Sequence, residues 1–279
     1  MTTTLTRSGA NSDEIDHEDP RVVPPVEVDA GVRPAVGIDA VTKVFGTRGH
    51  AVAALDRVSL SVAPGEFVCL LGASGCGKST LLNLIAGLDT PSAGEVTTAG
   101  RPALMFQEPA LYPWLSAAGN IELALRYAGV KRTERRGRAD ELLELVRLAG
   151  IGDRRVHELS GGQRQRVALA RALAQGGSVL LMDEPFAALD AITRDVMHDE
   201  LTRIWKKTGT SVVFVTHNVR EAVRLGQRVV LLSSRPGRVV GEWAVDIRGP
   251  RTIEHAEVAA LASQITVRLR EEIASHARA

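Results

Sequence analysis

The sequence has few cysteines and no excess of either charge. Only two cysteines occur in 279 residues, Cys69 and Cys76. That is too few for a disulfide framework or a four-cysteine zinc site, and it fits a reducing cytosol. Lysine and arginine together number 34 against 33 acidic residues. This balance argues against a protein dedicated to binding nucleic acid, which usually carries a basic excess.

Long apolar runs are missing as well. The longest, such as SVVFVT from Ser211, have the length of a strand. They fall well short of the roughly 20 residues that a membrane-spanning helix needs. The N-terminal segment has no apolar stretch of the kind found in secretory signals. We therefore expect any connection to a membrane to run through a partner protein.

The residues that are present indicate one main domain. Residues 1–35 are polar and contain several prolines, and they are interpreted as a flexible N-terminal extension. Residues 36–249 contain short apolar strands separated by helices, which predicts a parallel sheet with right-handed crossovers. A helical subdomain is expected over about 108–170, and a C-terminal helix over 250–279.

The C-terminal segment has the apolar spacing of an amphipathic helix. Its stripe consists of Val258, Leu261, Ile265, Leu269 and Ile273. Packing of this stripe on its own domain is the favoured interpretation. A contact between two copies of the chain is the alternative.

A glycine-rich turn lies between an apolar run and a predicted helix. The segment FVCLLGASGCGKST fits the phosphate-loop pattern at Gly72, Gly77, Lys78 and Ser79. Glycines permit backbone conformations in which successive N–H groups point toward phosphate oxygens, and the helix adds its positive N-terminal end. Lysine supplies a charge for the β- and γ-phosphates, and the serine hydroxyl suits Mg²⁺. The segment therefore predicts a nucleotide site.

Polar side chains follow three other apolar runs. Asp183 and Glu184 are expected at the carboxyl end of a buried strand, where ligands bind in open α/β sheets. Neighbouring strand residues point in opposite directions, so Asp183 is assigned to the Mg²⁺ shell and Glu184 to the attacking water as general base. His217 is a candidate contact to the γ-phosphate, and Gln107 is a candidate for Mg²⁺ or water. Taken alone, Asp183 and Glu184 also fit a solvated strand end, and a lone histidine is more often structural than catalytic.

The segment LSGGQRQR, which begins at Leu159, places two glycines at the start of a predicted helix. Ser160 suits a helix cap, and the glycines expose N–H groups. These are features of an anion site at a helix N-terminus. The residues alone leave two interpretations open: a plain cap, or an anion site whose ligand is not evident.

Together these motifs resemble those of ABC-transporter ATPase subunits. GASGCGKST, FQEP, LSGGQRQR, LLMDEP, ALD and VTH occur in that family's order and approximate spacing, and the resemblance covers about residues 36–245. LSGGQ is the most specific of them, because other P-loop families lack it. The resemblance implies a P-loop NTPase of the α/β class, with a parallel-sheet core, an antiparallel β subdomain and a helical subdomain. It also implies hydrolysis of ATP with Mg²⁺, coupled to transport.

Paired cassettes are a property of this family, so the resemblance implies a homodimer in which two copies associate head to tail. Each ATP would lie between the phosphate loop of one copy and the LSGGQ of the other. The implied contacts to a copy's own ATP are Phe45, which would stack on adenine, and Gly72, Ala73, Ser74, Gly75, Cys76, Gly77, Lys78, Ser79 and Thr80. Those to the partner's ATP are Ser160, Gly161, Gly162 and Gln163. Glu184, His217 and Gln107 would be catalytic, Ser79, Gln107 and Asp183 would hold Mg²⁺, and Asp190 would lie at the interface.

A finer resemblance is to importers of the nitrate, sulfonate and taurine type. It rests on the segments MFQEPALYPWLS, LLMDEPFAALDAITRD and LLSSRPGRV. It implies an ATPase at the cytoplasmic face of the cell membrane that works with separate permease subunits and, indirectly, with a solute-binding protein, but not with nucleic acid. One departure is the short stretch between GEVTTAGRP and Gln107. We expect the antiparallel sheet to be trimmed there.

Three alternatives stay open at this point. An export ATPase shares the same motifs. A non-transport ABC protein of DNA repair, chromosome structure or translation usually carries coiled coils, a zinc insertion or a second cassette, and none is evident in this sequence. A nucleotide-binding module without hydrolysis is disfavoured by Glu184 and His217.

Overall fold

The computed structural model describes residues 33–46, 51–248, 251–252 and 255–276. The extension expected over 1–35 therefore lies almost entirely outside the described residues. In chain order the elements are β1 (Val36–Phe45), β2 (Val52–Val62), β3 (Phe67–Leu71), α1 (Lys78–Ile85), β4 (Ala93–Thr98), β5 (Ala103–Met105), α2 (Ala117–Tyr127), α3 (Arg132–Leu145), α4 (Gly161–Leu173), β6 (Val179–Asp183), α5 (Ala191–Thr208), β7 (Ser211–Val215), α6 (Val219–Leu225), β8 (Arg228–Leu232), β9 (Val239–Ala244) and α7 (Ala256–His276).

A six-stranded sheet forms the centre of the molecule. Its strand order is β5-β6-β7-β3-β8-β9. The first five strands run parallel, and β9 pairs antiparallel with β8. Every residue of β3, β7 and β8 is buried. One face of the sheet packs against helices, and the other packs against α1 and strands β1 and β2. The fold class predicted from the sequence is confirmed.

A second, smaller sheet lies beside the first and consists of β1, β2 and β4 in the order β2-β1-β4. Both of its strand pairs are antiparallel. The connection from β4 to β5 spans only residues 99–102. It is fixed against the turn before β6: the Ser178 hydroxyl donates to the Ala99 carbonyl. A Cβ on Gly177 would lie 2.6 Å from the Arg101 carbonyl oxygen. The short stretch before Gln107 is therefore a tightly packed crossing between the two sheets.

Helices α2, α3 and α4, which follow β5 and precede β6 in the chain, pack together. Their shared apolar core includes Ile121, Leu143, Val167 and Leu169, and it continues into the core under the central sheet. The basic run at 131–138 forms the first half of α3. There Arg136 pairs with Asp140 and Asp153, so this run is a solvated helix face.

Helix α7 packs on the domain from which it extends. Val258, Leu261 and Ile265 are buried, and the helix contacts α6. Leu269 is partly buried against the same core. Ile273 is 46% exposed, so the stripe leaves the core in the last turns. Among the described residues, no helix is both long and apolar enough to span a bilayer.

Candidate functional site

The phosphate loop connects the end of β3 to the start of α1. Gly75 and Gly77 have φ values of 79° and 102°, a backbone region that favours glycine. A Cβ on Gly77 would lie 2.7 Å from Leu55 Cδ2 and 2.8 Å from the Ala54 carbonyl oxygen. Strand β2 therefore packs so tightly against the loop that only glycine fits at this position.

The ammonium group of Lys78 lies inside this loop. Lys78 is only 6% exposed, and its Nζ donates to the carbonyls of Gly72 at 2.8 Å and Ala73 at 2.9 Å. Cys76 Sγ is 3.8 Å from the same nitrogen. Burial raises the pKa of the Cys76 thiol, although Lys78 lowers it. The thiol therefore stays neutral and adds no negative charge where phosphate would bind.

Asp183 is the last residue of β6, and its carboxyl lies near Lys78 and Ser79 at the end of the phosphate loop. Burial raises the pKa of its carboxyl, and a hydrogen bond with the Ser79 hydroxyl opposes that rise. The charge of Glu184 raises the pKa further, and Lys78 lowers it. A hydroxyl and a carboxylate held together beside a lysine are an oxygen donor set that suits Mg²⁺. These residues therefore fit the ion that the sequence predicts.

Glu184 and His217 form a hydrogen-bonded pair. Glu184 has a φ of 43°, and its N–H donates to the Val215 carbonyl at 3.0 Å, which fixes the turn after β6. Its Oε2 is 2.8 Å from His217 Nδ1. The two residues follow β6 and β7, which are adjacent parallel strands. Adjacent parallel strands end at the same edge of the sheet, so the fold brings both side chains to the edge where the phosphate loop begins.

The LSGGQ segment forms a helix start at a different place. Ser160 caps α4: its Oγ accepts from the Gln163 N–H at 3.2 Å, and Gln163 Oε1 accepts from the Ser160 N–H at 2.9 Å. This reciprocal arrangement is a capping box. Among the described residues, no hydrogen bond links it to the phosphate loop. Within one copy of the chain this segment is a helix cap, and its role as an anion site stays a prediction.

Asp190 caps the neighbouring helix α5. Its Oδ1 accepts from the Thr193 N–H at 3.0 Å, and this backbone hydrogen bond lowers the pKa of its carboxyl. A Cβ on Gly162 would lie 2.9 Å from Thr193 Cγ2. The starts of α4 and α5 are therefore in contact, and they present one continuous surface.

Phe45 and Gln107 lie at the margins of the site. Phe45 ends β1 with its ring 42% exposed, and Lys43 Nζ is 5.0 Å from the ring centroid. Gln107 is exposed just after β5. The segment that follows it is fixed by Arg171, which donates to the carbonyls of Pro109 at 2.8 Å and Ala110 at 2.7 Å.

Sequence reasoning missed Arg171 and His198. An arginine in the last turn of α4 gives no signal of a backbone partner far away in the chain. His198 is 2% exposed and lies among the buried residues of α5. A histidine between Met197 and Leu201, which are both apolar, was the available signal, but its partners are on another helix.

A family model described as "ABC transporter" matches residues 55–187. The taurine import ATP-binding protein of Burkholderia pseudomallei (strain K96243) is 48% identical over 225 residues, which cover 78% of this chain and 86% of that protein. The corresponding protein of Mesorhizobium japonicum is 51% identical over 200 residues, covering 69% of this chain and 78% of that one.

Solved structures agree. A dimeric structure of a bacterial ABC transporter cassette matches with a TM-score of 0.67 and 35% identity, covering 77% of this chain and 99% of that chain. A dimeric post-hydrolysis state of an ATP-binding cassette, bound to ADP and phosphate, matches with the same TM-score, identity and coverage. These comparisons confirm the resemblance found in the sequence, including its importer subgroup. The chain belongs to the ABC transporter family, and it is an ATP-hydrolysing subunit of the importer type.

Proposed function

We propose that two copies of this chain bind ATP and Mg²⁺ between them and power uptake of a small sulfonate through a separate permease. Taurine is the favoured solute, because relatives that are 48–51% identical to this chain are named taurine import proteins. This protein would bind the permease at the cytoplasmic face of the membrane, through its surface near Gln107. An extracytoplasmic binding protein would deliver the solute. The single observation that supports hydrolysis best is the Glu184–His217 pair at 2.8 Å beside the phosphate loop.

Binding of ATP begins with the phosphate loop. The N–H groups of residues 72–80 and the start of α1 favour negative charge. The Lys78 ammonium already lies inside the loop, where it donates to the Gly72 and Ala73 carbonyls. These contacts hold its ammonium where the β- and γ-phosphates would bind, so little side-chain freedom is lost on binding. The exposed Phe45 ring supplies a flat apolar surface for adenine.

Magnesium would be held by Ser79, Asp183 and Gln107. When bound, the ion neutralises charge that develops on the phosphates. Burial is the main cause of the raised pKa of Asp183, and the positive charge of a nearby cation would favour the ionised carboxylate. The pairing of its carboxylate with the Ser79 hydroxyl prepares both oxygens for the same ligand.

Hydrolysis would use Glu184 and His217 together. Glu184 would accept a proton from the attacking water. His217 Nδ1 holds one oxygen of that carboxylate, at 2.8 Å, which fixes the side chain while its other oxygen stays available. The His217 side chain is 61% accessible, against 22% for Glu184, so its ring would be accessible to a γ-phosphate.

The second half of each ATP site would come from the partner copy. At the start of α4, Ser160 Oγ takes the N–H of Gln163, which is the third helical residue. The N–H groups of Gly161 and Gly162 precede the first intrahelical bond, and they are left to face a ligand. Gly161 has open space where a side chain would be. Such an exposed N-terminus suits the γ-phosphate of an ATP bound to the other copy.

Glu184→Gln tests this proposal in a reconstituted complex with the permease and binding protein. We expect the variant to bind ATP with unchanged affinity and to accumulate as an ATP-bound dimer. Its hydrolysis and its taurine uptake should fall by about 100-fold or more, because the general base is lost. Glu95→Gln, on the exposed strand β4, is the control and should behave like the wild type. Hydrolysis by Glu184→Gln at the wild-type rate would refute the role of Glu184. Hydrolysis that no sulfonate stimulates would refute the solute class.

A further inference from the structure

A chain of buried polar side chains lies behind the Glu184–His217 pair. It consists of His198 on α5, Glu221 on α6 and Thr216 at the end of β7. Their exposed fractions are 2%, 7% and 2%. Buried polar groups are normally retained only when they are hydrogen-bonded, so the partners of each group show what the chain holds in place.

The chain ends on the backbone on both sides of His217. His198 Nε2 is 2.6 Å from Glu221 Oε1. The other carboxylate oxygen, Oε2, accepts from the Thr216 hydroxyl. Thr216 Oγ1 in turn accepts from the Asn218 N–H at 3.0 Å. Residues 216 and 218 are thereby fixed by side chains, and the peptide that carries His217 lies between them.

The ring of His198 also contacts the segment that carries Glu184. It packs edge-on against Phe186, with ring centroids 5.6 Å apart. Phe186 follows Glu184 by two positions and is itself buried. From the same helix, Arg194 donates to the carbonyls of Phe186 and Leu189. His198 therefore supports both members of the pair, one through hydrogen bonds and the other through packing.

Arg224 fixes the orientation of the imidazole. Its Nη1 is 3.4 Å from His198 Nδ1 and 2.6 Å from Asp195 Oδ1, and its Nη2 donates to Asp199. An arginine always donates, so this arrangement suits an imidazole that accepts at Nδ1 and donates from Nε2 to Glu221. An apolar side chain at 198 would fill the space, but it would leave Glu221 Oε1 without this donor.

Beside the pair is a small cavity lined by Glu184, His217, Thr216 and Glu221. Two members of the polar chain thus form part of the wall next to the reacting groups. A shift of Glu221 or Thr216 would alter the position of His217 directly, without any change at the phosphate loop.

From this arrangement we infer that His198 is a positioning residue for ATP hydrolysis, acting on His217 through Glu221 and Thr216. The inference rests on the hydrolytic roles proposed for Glu184 and His217. A residue with only a general packing role would affect the rate of the chemical step and ATP binding together, whereas this inference predicts that the two are separable. His198 should affect the rate of the chemical step and leave ATP binding unchanged, because the phosphate loop is not among the groups that these buried polar side chains contact.

The test compares His198→Leu, His198→Gln and Leu201→Ala in steady-state ATP hydrolysis by the permease complex. His198→Leu should lower kcat by about 10- to 100-fold, the effect of small misplacements in an active site, with little change in KM for ATP. His198→Gln restores an amide donor toward Glu221 and should recover most of kcat. Leu201→Ala removes a buried side chain one turn along the same face of α5. It should lower thermal stability and leave kcat near that of the wild type.

A double-mutant cycle with His217→Ala completes the test. When His217 is absent, His198→Leu should cause no further loss of kcat, because the two residues act as a unit. Additive losses, equal loss in the Leu and Gln variants, or a matching loss in Leu201→Ala would each overturn the inference. If Glu184→Gln and His217→Ala themselves hydrolyse ATP like the wild type, then the proposed function fails. If only those two variants are impaired and His198→Leu is not, the inference about His198 fails alone.

Discussion

The phosphate loop and the LSGGQ helix start are both built for an anion, but they differ in how complete they are within one chain. The phosphate loop is enclosed: Lys78 is buried and bonded to two carbonyls, and β2 packs directly on Gly77. The LSGGQ start is open: Ser160 and Gly161 are exposed, and the capping box bonds only within its own helix turn. One site is preorganised by its own fold. The other presents donors that its own fold leaves without a ligand.

This difference indicates where each half of the site gains its affinity. A preorganised loop binds a nucleotide without a partner, because the entropic cost of fixing its groups was met on folding. An exposed helix start supplies a few N–H groups and a partial charge, which are too weak to hold ATP alone. Substitutions in the two regions should therefore separate nucleotide binding from dimer formation.

Lys78→Ala should have the largest effect on binding. It removes a charged donor from the phosphates and leaves the Gly72 and Ala73 carbonyls without their buried partner. A charged hydrogen bond contributes about 1.5–3 kcal/mol, so we expect the ATP affinity to fall by about tenfold to 100-fold. Isothermal titration calorimetry with ATP measures this effect. Lys207→Ala, at the exposed end of α5, is the control. Unchanged affinity in Lys78→Ala would show that the enclosed loop does not bind the nucleotide.

Ser160→Ala should have a smaller and different effect. ATP binding by the single subunit should be unchanged, whereas the ATP-dependent dimer, measured by size exclusion in the Glu184→Gln background, should weaken. Ser116→Ala is a matched control, because Ser116 also caps a helix, with its Oγ accepting from the Gly119 N–H at 3.1 Å. Each loss of a cap should lower stability by about 1 kcal/mol. If both variants weakened the dimer equally, the effect would come from the loss of helix stability, and Ser160 would have no specific role at the dimer interface.

The parts of this molecule that were predictable are those specified by local sequence. Strands β3, β6 and β7 are continuous apolar runs that end at a glycine-rich loop or at polar residues. A strand that is buried on both faces consists almost entirely of apolar residues, so it is recognisable in the sequence. Because parallel strands end at one edge, the meeting of Lys78, Asp183, Glu184 and His217 followed from their order in the chain. Helix α5, which connects β6 to β7, spans Ala191–Thr208.

The contacts that escaped prediction join residues far apart in the chain. Arg171 binds carbonyls beside Gln107, and His198 binds Glu221, in each case across helices whose mutual placement no local pattern specifies. The tight crossing from β4 to β5 depends on Gly177, which looks like an ordinary helix-ending glycine in the sequence. Long-range polar partners are set by packing, and one sequence contains little record of them.

The smallest effect we predict concerns pH, and it contrasts one aspartate from each region. Burial raises the pKa of Asp183 above its ordinary value of 3.8, so the folded state binds its proton more tightly than the unfolded chain does. Stability contributed by this group is therefore lost as the pH rises through the folded pKa. The pKa of Asp190 is lowered by its cap bond, so the stability that it contributes is present above the unfolded value and lost as the pH falls.

Asp183→Asn should accordingly stabilise the nucleotide-free protein at neutral pH, and the gain should shrink toward acid pH. Asp190→Asn keeps a capping oxygen but removes the favourable charge, so it should destabilise slightly at neutral pH, with a difference that also shrinks in acid. Urea denaturation midpoints across this pH range measure both changes. Because Asp183→Asn should also weaken Mg²⁺-dependent ATP binding, a gain in stability would identify Asp183 as a residue kept for its ligand at the expense of the fold. A loss of stability at neutral pH would instead make the Ser79 hydrogen bond, rather than burial, the dominant influence on Asp183.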